Sequence, residues 1–183
     1  MGHVTEKQQA RRVASVQQRA YNTPVLPDSP RRNVTFMCQS TAQTEPARRG
    51  VVGVFYRDDR FLVIRRSQRV RAPGAYCFPG GGVEVGETET IALIREMDEE
   101  LSASVQILHR IWQCETPSGT RLGWWQVNLQ PQSPFIPNPA EVESLHWLTL
   151  EQVLYLPGLL LTNRHFLAAV ASQQVRLHST QNG

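Results

Sequence analysis

Residues 80–101 constrain this chain more than any other segment, because they break two local rules in succession. Gly80, Gly81 and Gly82 remove every side chain from one loop, which increases the conformational entropy lost on folding. Such a loop is favoured where a turn needs a positive φ or where a backbone must approach a ligand closely. Gly86 adds a second turn just before the next element. The loop therefore predicts a functional site.

A helix is predicted to follow the loop, over residues 88–101. Thr88 is one of the residue types that cap a helix N-terminus, and apolar residues recur after it at helical spacing. The apolar positions predicted to share one buried face are Ile91, Ile94, Met97 and Leu101. This spacing predicts that the helix packs against the domain along one side.

The last turns of this helix are acidic. Acids near a helix C-terminus oppose the macrodipole by ~0.3–1 kcal/mol each, and like charges at i, i+4, such as Glu96 and Glu100, cost a further ~0.2–0.5 kcal/mol. Between Glu84 and Glu100 seven acids accompany a single cation, Arg95. A solvated acidic face is the ordinary explanation, but it leaves the glycine loop unexplained. Carboxylates in this number favour a hard divalent cation, Mg²⁺ first.

Strand-like segments surround the loop and the helix. Residues 51–56 and 61–66 are β-rich, and the polar residues 57–60 between them predict a hairpin. Further strands are predicted at 75–78, 105–114, 121–129 and 143–148, and a final helix at 163–174. Thr149 and Gln152 form a capping-box pattern for a short helix that ends before Pro157. This order predicts an α+β domain with helices on the faces of a mixed sheet.

The first 49 residues differ from the rest in composition. Residues 1–50 hold eight Lys or Arg and three acids, whereas residues 51–183 hold eleven and thirteen, so the basic excess is confined to the N-terminal segment. Its prolines and few large apolar residues predict a flexible tail over 1–49, with a domain at 50–177 and a short tail at 178–183. A transit peptide, or a true start at Met37, is the alternative.

Composition also excludes several classes of protein. The three cysteines, Cys38, Cys77 and Cys114, form no CxxC pair, which argues against a disulfide framework or a zinc site. No apolar run approaches the ~18 residues of a membrane span, and no apolar signal segment begins the chain. The sequence therefore predicts a cytoplasmic protein without a membrane partner. The domain carries no basic and aromatic stripe, which argues against a nucleic-acid partner.

Residues 81–103, GGVEVGETETIALIREMDEELSA, resemble the Nudix box. The matching positions are Gly81, Glu87, Arg95, Glu96, Met97, Glu99 and Glu100. The preceding Phe78-Pro79-Gly80 also resembles the usual approach to the box, whereas Ser102 stands where the box has a glycine. If position 102 is left-handed, serine costs on the order of 1 kcal/mol more than glycine there. The resemblance implies a Nudix-type α/β/α sandwich around a mixed β-sheet, over about residues 50–175.

The resemblance also implies a metal-dependent hydrolase of diphosphate bonds. The metal ligands that it implies are Glu96, Glu99, Glu100 and the Gly81 carbonyl. Arg95 would hold Glu96 through a charge-assisted hydrogen bond, and Glu99 would be a further ligand or the general base. Glu87 would lie near the metal or hold the loop against the helix. The cofactor would be Mg²⁺, with Mn²⁺ able to substitute, and it would neutralise the diphosphate and lower the pKa of bound water.

Outside the box, the substrate-binding candidates are Arg65, Arg66, Trp124, Glu141 and Asn163. The two arginines precede the glycine loop and could meet phosphates, although strand-end arginines are commonly exposed. Trp124 and Trp125 alternate in one predicted strand, so one is expected in the core and the other could stack on a base. Glu141, or the nearby Glu143, could complete the metal site or be a surface charge. Asn163 could read a purine edge or cap the last helix.

Several substrates remain open. A MutT-like pyrophosphatase of nucleoside or deoxynucleoside triphosphates leads, because Leu156-Pro157 followed by Asn163 resembles the end of that branch. ADP-ribose or another nucleotide sugar is second. Coenzyme A is third, because Arg66-Ser67, Arg71 and Gly74 approach the pattern of its hydrolases with one residue too few. A nucleotide-sensing module without turnover is the non-enzyme alternative, although all box carboxylates are present. The partner is a small-molecule nucleotide, and a homodimer stays open.

Overall fold

A computed structural model describes residues 48–178, which form seven strands and three helices. The strands are β1 (Arg49–Val54), β2 (Tyr56–Arg57), β3 (Arg60–Arg66), β4 (Tyr76–Cys77), β5 (Val105–Glu115), β6 (Arg121–Leu129) and β7 (Val142–Thr149). The helices are α1 (Glu89–Leu101), α2 (Leu150–Leu154) and α3 (Leu161–Ala171). Residues 1–47 and 179–183, which make up most of the predicted tails at 1–49 and 178–183, lie outside the described residues, and the proposed domain boundaries stay predictions.

The first sheet has the order β1-β6-β5 and is mixed. β1 runs parallel to β6, and β5 and β6 form the antiparallel pair predicted around the 117–119 turn. The alternation of side chains sends Val51 and Val127 into one core cluster and Val52 and Trp124 into another. Helix α1 contributes to the first cluster and α3 to the second. The sheet is thus covered on both faces, which confirms the predicted α/β/α class.

The second sheet is antiparallel and contains β2, β3, β4 and β7, with β7 along β3. The predicted turn at 57–60 exists, with Asp58 and Asp59 at positive φ, but it joins only the short β2 to β3. The hairpin predicted between residues 51–56 and 61–66 is therefore wrong in its first strand. Residues 51–54 leave that pairing and hydrogen-bond to β6 instead. A pairing partner about seventy residues away leaves no local signal in the sequence.

Helix α1 begins where it was predicted, because the Thr88 side chain accepts a hydrogen bond from the Ile91 amide. Its predicted apolar face is correct for Met97 and Leu101, which are buried, and wrong for Ile91 and Ile94. Ile91 and Ile94 are 54% and 50% exposed. The buried positions on the helix are Ala92, Leu93, Glu96, Met97, Glu100 and Leu101. The carboxylates of Glu96 and Glu100 therefore lie on the buried side of α1.

Helix α1 ends at Ser102, whose φ of 47° and ψ of 37° are left-handed. The amides of Ser102 and Ala103 donate to Asp98 and Met97, the pattern of a helix end that normally uses glycine. The predicted capping box of Thr149 and Gln152 starts α2. Helix α3 begins two residues before its predicted start. No helix within residues 48–178 is long and apolar enough to cross a membrane.

Candidate active site

The glycine loop is suspended from β1 by backbone hydrogen bonds. The amides of Gly53 and Val51 donate to the carbonyls of Pro79 and Gly81, each at 2.9 Å, and the Val83 amide donates to Arg49 at 3.0 Å. Because β1 is itself hydrogen-bonded to β6, the loop is anchored to the first sheet. This support fixes where the loop passes α1.

Two of the three glycines have a steric reason. Gly80 has a φ of 139°, and a Cβ there would overlap the carbonyl of Val51. A Cβ on Gly81 would overlap the carboxylate of Glu96. The loop therefore lacks side chains so that its backbone can touch β1 on one side and a helix carboxylate on the other.

Glu100 lies at the buried end of this contact. It is 3% exposed, and one carboxylate oxygen accepts a hydrogen bond of 2.8 Å from the Gly80 amide. The pKa of Glu100 is raised to about 8, chiefly by burial. The charges of Glu96 and Glu141 contribute in the same direction, while the Gly80 amide and the charge of Arg66 oppose the shift. Glu100 is therefore a carboxyl group whose negative charge lacks compensation in the protein alone.

Glu96 lies one turn earlier on the same side of α1. It is 8% exposed and accepts a hydrogen bond of 2.9 Å from Arg95. Burial raises the pKa of Glu96, Arg95 lowers it, and the charges of Glu99 and Glu141 raise it. The two buried glutamates thus repel each other across one turn.

Arg95 joins the loop to the helix carboxylates. Its guanidinium donates to both oxygens of Glu87 at 2.9 and 3.1 Å, to Glu96 at 2.9 Å and to Glu99 at 2.9 Å. It also donates to the Gly82 carbonyl at 2.8 Å. The hydrogen bond from Arg95 lowers the pKa of Glu87. Arg95 and Glu87 are therefore placed to hold the loop against the helix.

The oxygen atoms of Glu96, Glu100 and the Gly81 carbonyl fit a hard cation, although these groups do not surround a common point as ligands would. Within residues 48–178 no group of three or more His, Cys, Asp or Glu side chains has metal-binding geometry. One Glu96 oxygen is engaged with Arg95, and the Gly81 carbonyl accepts the Val51 amide with one lone pair. Burial of two neighbouring carboxylates without enough positive charge is the observation that favours a divalent ion here.

The structure brings Glu141 and Arg66 to this cluster. Glu141 raises the pKa of both buried glutamates, and Arg66 lowers that of Glu100, so both charges act on the site. The sequence names Ser67 only within the coenzyme A pattern and does not predict its bridging role: it is 5% exposed and connects the two segments. Its amide donates to the Glu141 carbonyl at 2.8 Å and its hydroxyl to Ala140 at 2.6 Å. A serine in a polar segment carries no sequence signal for such a role.

Two candidates occupy other surroundings. Arg65 forms a 2.6 Å ion pair with Glu143 and lies over the ring of Tyr76. The prediction that Trp124 binds the substrate is wrong, because this side chain is fully buried and stacks on Phe166 with ring centroids 4.5 Å apart. It cannot present a face to a base. Its neighbour Trp125 is the partly exposed member of the pair, on the α1 side of the sheet.

Asn163 is also engaged. It is 4% exposed, and its Oδ1 accepts a hydrogen bond of 2.8 Å from the Phe78 amide, while its Nδ2 lies 3.3 Å from the Thr162 hydroxyl. Helix α3 starts after Leu160 without a side-chain cap, so Asn163 does not cap it. Its side chain instead ties α3 to the residue that precedes the glycine loop.

Comparison with known proteins agrees with this arrangement. The family model for the NUDIX domain matches residues 46–170. The MutT NUDIX hydrolase of Burkholderia pseudomallei is 26% identical, with a TM-score of 0.59, over 69% of this chain and 99% of that chain. An ADP-ribose pyrophosphatase of Streptococcus suis is 17% identical, with a TM-score of 0.57, over 74% and 97%.

A C. elegans Ap4A hydrolase is 20% identical, with a TM-score of 0.56, over 68% of this chain and 97% of that chain. No curated protein is a significant match. The last two structures are less than a quarter identical and support the fold alone. Because the family model covers more than half of the chain and includes the glycine loop and the acidic helix, the chain belongs to the Nudix hydrolase family.

Proposed function

We propose that this chain is a Mg²⁺-dependent hydrolase that cleaves the diphosphate linkage of a nucleoside diphosphate derivative. The observation that carries the proposal is the pair of buried carboxylates, Glu96 and Glu100, beside the glycine loop. Both lie within the electrostatic reach of Glu141, and this excess negative charge favours a divalent cation. Mn²⁺ would substitute, because it accepts the same oxygen ligands.

Glu96 and Glu100 would hold the metal, with the Gly81 carbonyl as a further ligand. The bound metal supplies charge neutralisation of the diphosphate and acidifies a water molecule. Glu99 is about half exposed on its side chain and hydrogen-bonded to Arg95, so it is placed at the solvent side of the cluster. We assign it as a further ligand or as the general base that takes the proton of the attacking water. Arg95 and Glu87 keep the loop and the helix in register.

The leading substrate class is the nucleoside or deoxynucleoside triphosphates, as for a MutT-like pyrophosphatase. The 26% identical MutT NUDIX hydrolase supports this choice. The products would be a nucleoside monophosphate and pyrophosphate. ADP-ribose or another nucleotide sugar remains the second candidate, and the similarity in fold to an ADP-ribose pyrophosphatase is compatible with it.

The test is turnover of a substrate panel by the full chain with Mg²⁺. Triphosphates, ADP-ribose, Ap4A and coenzyme A would be incubated separately, and the products identified by ion-exchange chromatography. Activity should disappear with excess chelator and return with Mg²⁺ or Mn²⁺. Full activity in excess chelator would contradict the metal assignment, and faster turnover of ADP-ribose than of every triphosphate would replace the leading substrate.

Glu100→Gln tests the ligand assignment directly. The amide keeps the acceptor oxygen for Gly80 but loses the negative charge, so we expect kcat to fall by roughly a hundredfold or more. Asp98→Asn is the matched control, because Asp98 is an exposed acid on the same turn of the helix. Near-normal kcat in Glu100→Gln, or an equal loss in the control, would show that Glu100 does not hold the metal.

A further inference from the structure

A second feature of the described residues is a cavity of about 530 Å³ beside the N-terminus of α1. Arg49, Glu87, Glu89, Arg110 and Trp125 line it, so β1, β5 and β6 form its floor. A volume of this size is in the range of small-molecule sites. No role assigned above uses it.

The carboxylate of Glu89, the first residue of α1, contacts this floor. Its Oε2 accepts a hydrogen bond of 3.0 Å from the indole N–H of Trp125. A Cβ on Gly123 would overlap this carboxylate, so the glycine in β6 leaves the space in which it lies. The contact fixes the Trp125 ring and leaves that ring partly exposed to the cavity.

Arg110 adds a cation above the same ring. Its guanidinium lies 3.6 Å from Glu89 Oε2 and 6.0 Å from the centroid of the Trp125 ring. A planar group inserted between the two would need about 7 Å, twice an ordinary contact distance of ~3.5 Å. Because the Arg110 side chain is 47% exposed, it has room to move outward by that difference.

One carboxylate oxygen of Glu89, Oε1, is available to accept a hydrogen bond from a ligand. Trp125 and Arg110 both contact Oε2, and Oε1 has no hydrogen-bond partner among residues 48–178. A carboxylate accepts hydrogen bonds and donates none. A ligand edge with N–H donors would match this oxygen, whereas an edge with only acceptors would be repelled.

The cavity adjoins the carboxylate cluster through one ion pair. Glu87 lines the cavity and is bound by Arg95, which also holds Glu96. A ligand whose phosphates lie at Glu96 and Glu100 could therefore extend one end toward Trp125 past a single pair of side chains.

We propose that this cavity binds the nucleobase of the substrate, with Trp125 as the stacking surface, Arg110 over the opposite face of the base and Glu89 as the acceptor for its N–H groups. The inference rests on the proposed function and names the base that the site selects. Guanine fits best, because its ring N–H and exocyclic amino group lie on one edge. Adenine offers only its amino group, and uracil only one N–H flanked by acceptors.

Steady-state kinetics with the full chain and Mg²⁺ test this assignment. Guanosine, adenosine and uridine triphosphates would be compared with 5-phosphoribosyl 1-diphosphate, a ribose diphosphate that lacks a base. Loss of base stacking in Trp125→Leu should raise KM for the guanosine substrate on the order of tenfold or more. Trp125→Phe keeps a ring and should recover most of that loss. The ratio of kcat/KM between nucleotide and baseless substrate should fall only in the leucine variant.

Glu89→Gln tests the hydrogen-bonding edge separately. The amide would retain an oxygen for Trp125 and would turn a donor toward the base, so preference for guanosine over uridine triphosphate should fall on the order of tenfold. Trp147→Leu is the matched control, because Trp147 is another partly buried tryptophan under a guanidinium, that of Arg57 at 4.0 Å, on the other sheet. It should leave the substrate ratios unchanged.

A binding titration separates the two proposals. Guanosine monophosphate should quench the tryptophan fluorescence of the metal-free protein, and the quenching should be weaker in Trp125→Leu. Unchanged KM and base ratios in both cavity variants, in an enzyme that does turn over nucleotides, would overturn the inference alone. No turnover of any nucleotide by the wild type would overturn the proposed function, and the titration would still decide whether the cavity takes a base.

Discussion

At the scale of single residues, the buried carboxylates of α1 impose a cost on the metal-free protein. The pKa of Glu100 is raised to about 8, chiefly by burial, and that of Glu96 is raised in the same direction. A raised pKa stabilises the fold where the group is protonated in both states. That contribution is fully present below the ordinary glutamate pKa and is lost as the pH rises through the folded value.

The first prediction therefore concerns the pH dependence of stability in excess chelator. The melting temperature of the wild type should fall between about pH 5 and pH 8, and the decline should be smaller in Glu100→Gln, which is neutral throughout. A smaller slope should persist in the variant, because Glu96 contributes with the same sign. Asp98→Asn should keep the full slope. Equal slopes in wild type and Glu100→Gln would contradict the raised pKa.

Added Mg²⁺ should reduce the wild-type slope, because binding requires the carboxylate form.

Ser102 gives a second prediction at this scale. Its left-handed conformation at the end of α1 places a Cβ where glycine would avoid the steric cost. Ser102→Gly should therefore stabilise the protein by about 1 kcal/mol, which corresponds to a few degrees in melting temperature. Ser104→Gly is the control, because Ser104 lies beyond the cap and has no positive φ. A lower melting temperature for Ser102→Gly would show that serine makes a compensating contact.

At the scale of elements, a buried side chain of α3 is hydrogen-bonded to the residue that follows β4. Asn163 accepts a hydrogen bond from the amide of Phe78, and Phe78 is the last residue before the proline and glycines of the loop. Asn163→Ala would leave that buried amide unpaired and should destabilise the protein by ~1–3 kcal/mol. The ratio of kcat/KM between purine and pyrimidine triphosphates should stay unchanged, because Asn163 faces the protein. Thermal melting and steady-state kinetics measure both quantities. A changed ratio with an unchanged melting temperature would restore the base-reading hypothesis.

The elements also show what the sequence could and could not predict. The loop, the capped start of α1, the β5–β6 hairpin and the capping box of α2 follow from residues close together in the chain, and all are confirmed. The position of β1 was missed because its partner, β6, is about seventy residues away. The wrong apolar face of α1 has a related cause. Pattern reasoning places isoleucines inside and glutamates outside, whereas here Glu96 and Glu100 are buried and Ile91 and Ile94 are exposed.

The residues of the candidate site also differ in whether the sequence could predict them. The box glutamates and Arg95 could be named because the segment resembles the Nudix box, and the spacing of Arg95, Glu96, Glu99 and Glu100 on α1 brings those four side chains together. Alternation puts Trp124 and Trp125 on opposite faces of β6 without showing which face is buried, so the prediction of Trp124 as a substrate-binding residue is wrong. The contacts of Ser67 and Glu89 could not be predicted, since each side chain bonds to a distant segment, Ser67 to Ala140 and Glu89 to Trp125.

At the scale of the whole molecule, the matched domain begins near residue 46. The composition of the preceding segment predicts that it contributes little buried apolar surface. A chain that starts at Met37 should therefore keep the melting temperature and the kcat/KM of the full chain. The two proteins would be compared by thermal melting and by turnover of the same substrate. Aggregation or loss of turnover in the shorter chain would assign residues 1–36 to the core or to an oligomer interface.

The parallel pairing of β1 with β6 also fixes an order of events during synthesis. The ribosome synthesises β1, the glycine loop and α1 before it makes residues 121–129. Until those residues emerge, β1 has no strand on that side, and the loop that hangs from β1 has no rigid support. The box residues are therefore synthesised early and assembled late. A nascent chain that stops before Leu129 carries the complete box sequence but lacks both the support of β6 and the charge of Glu141. The carboxylate cluster can therefore assemble only after translation has passed both.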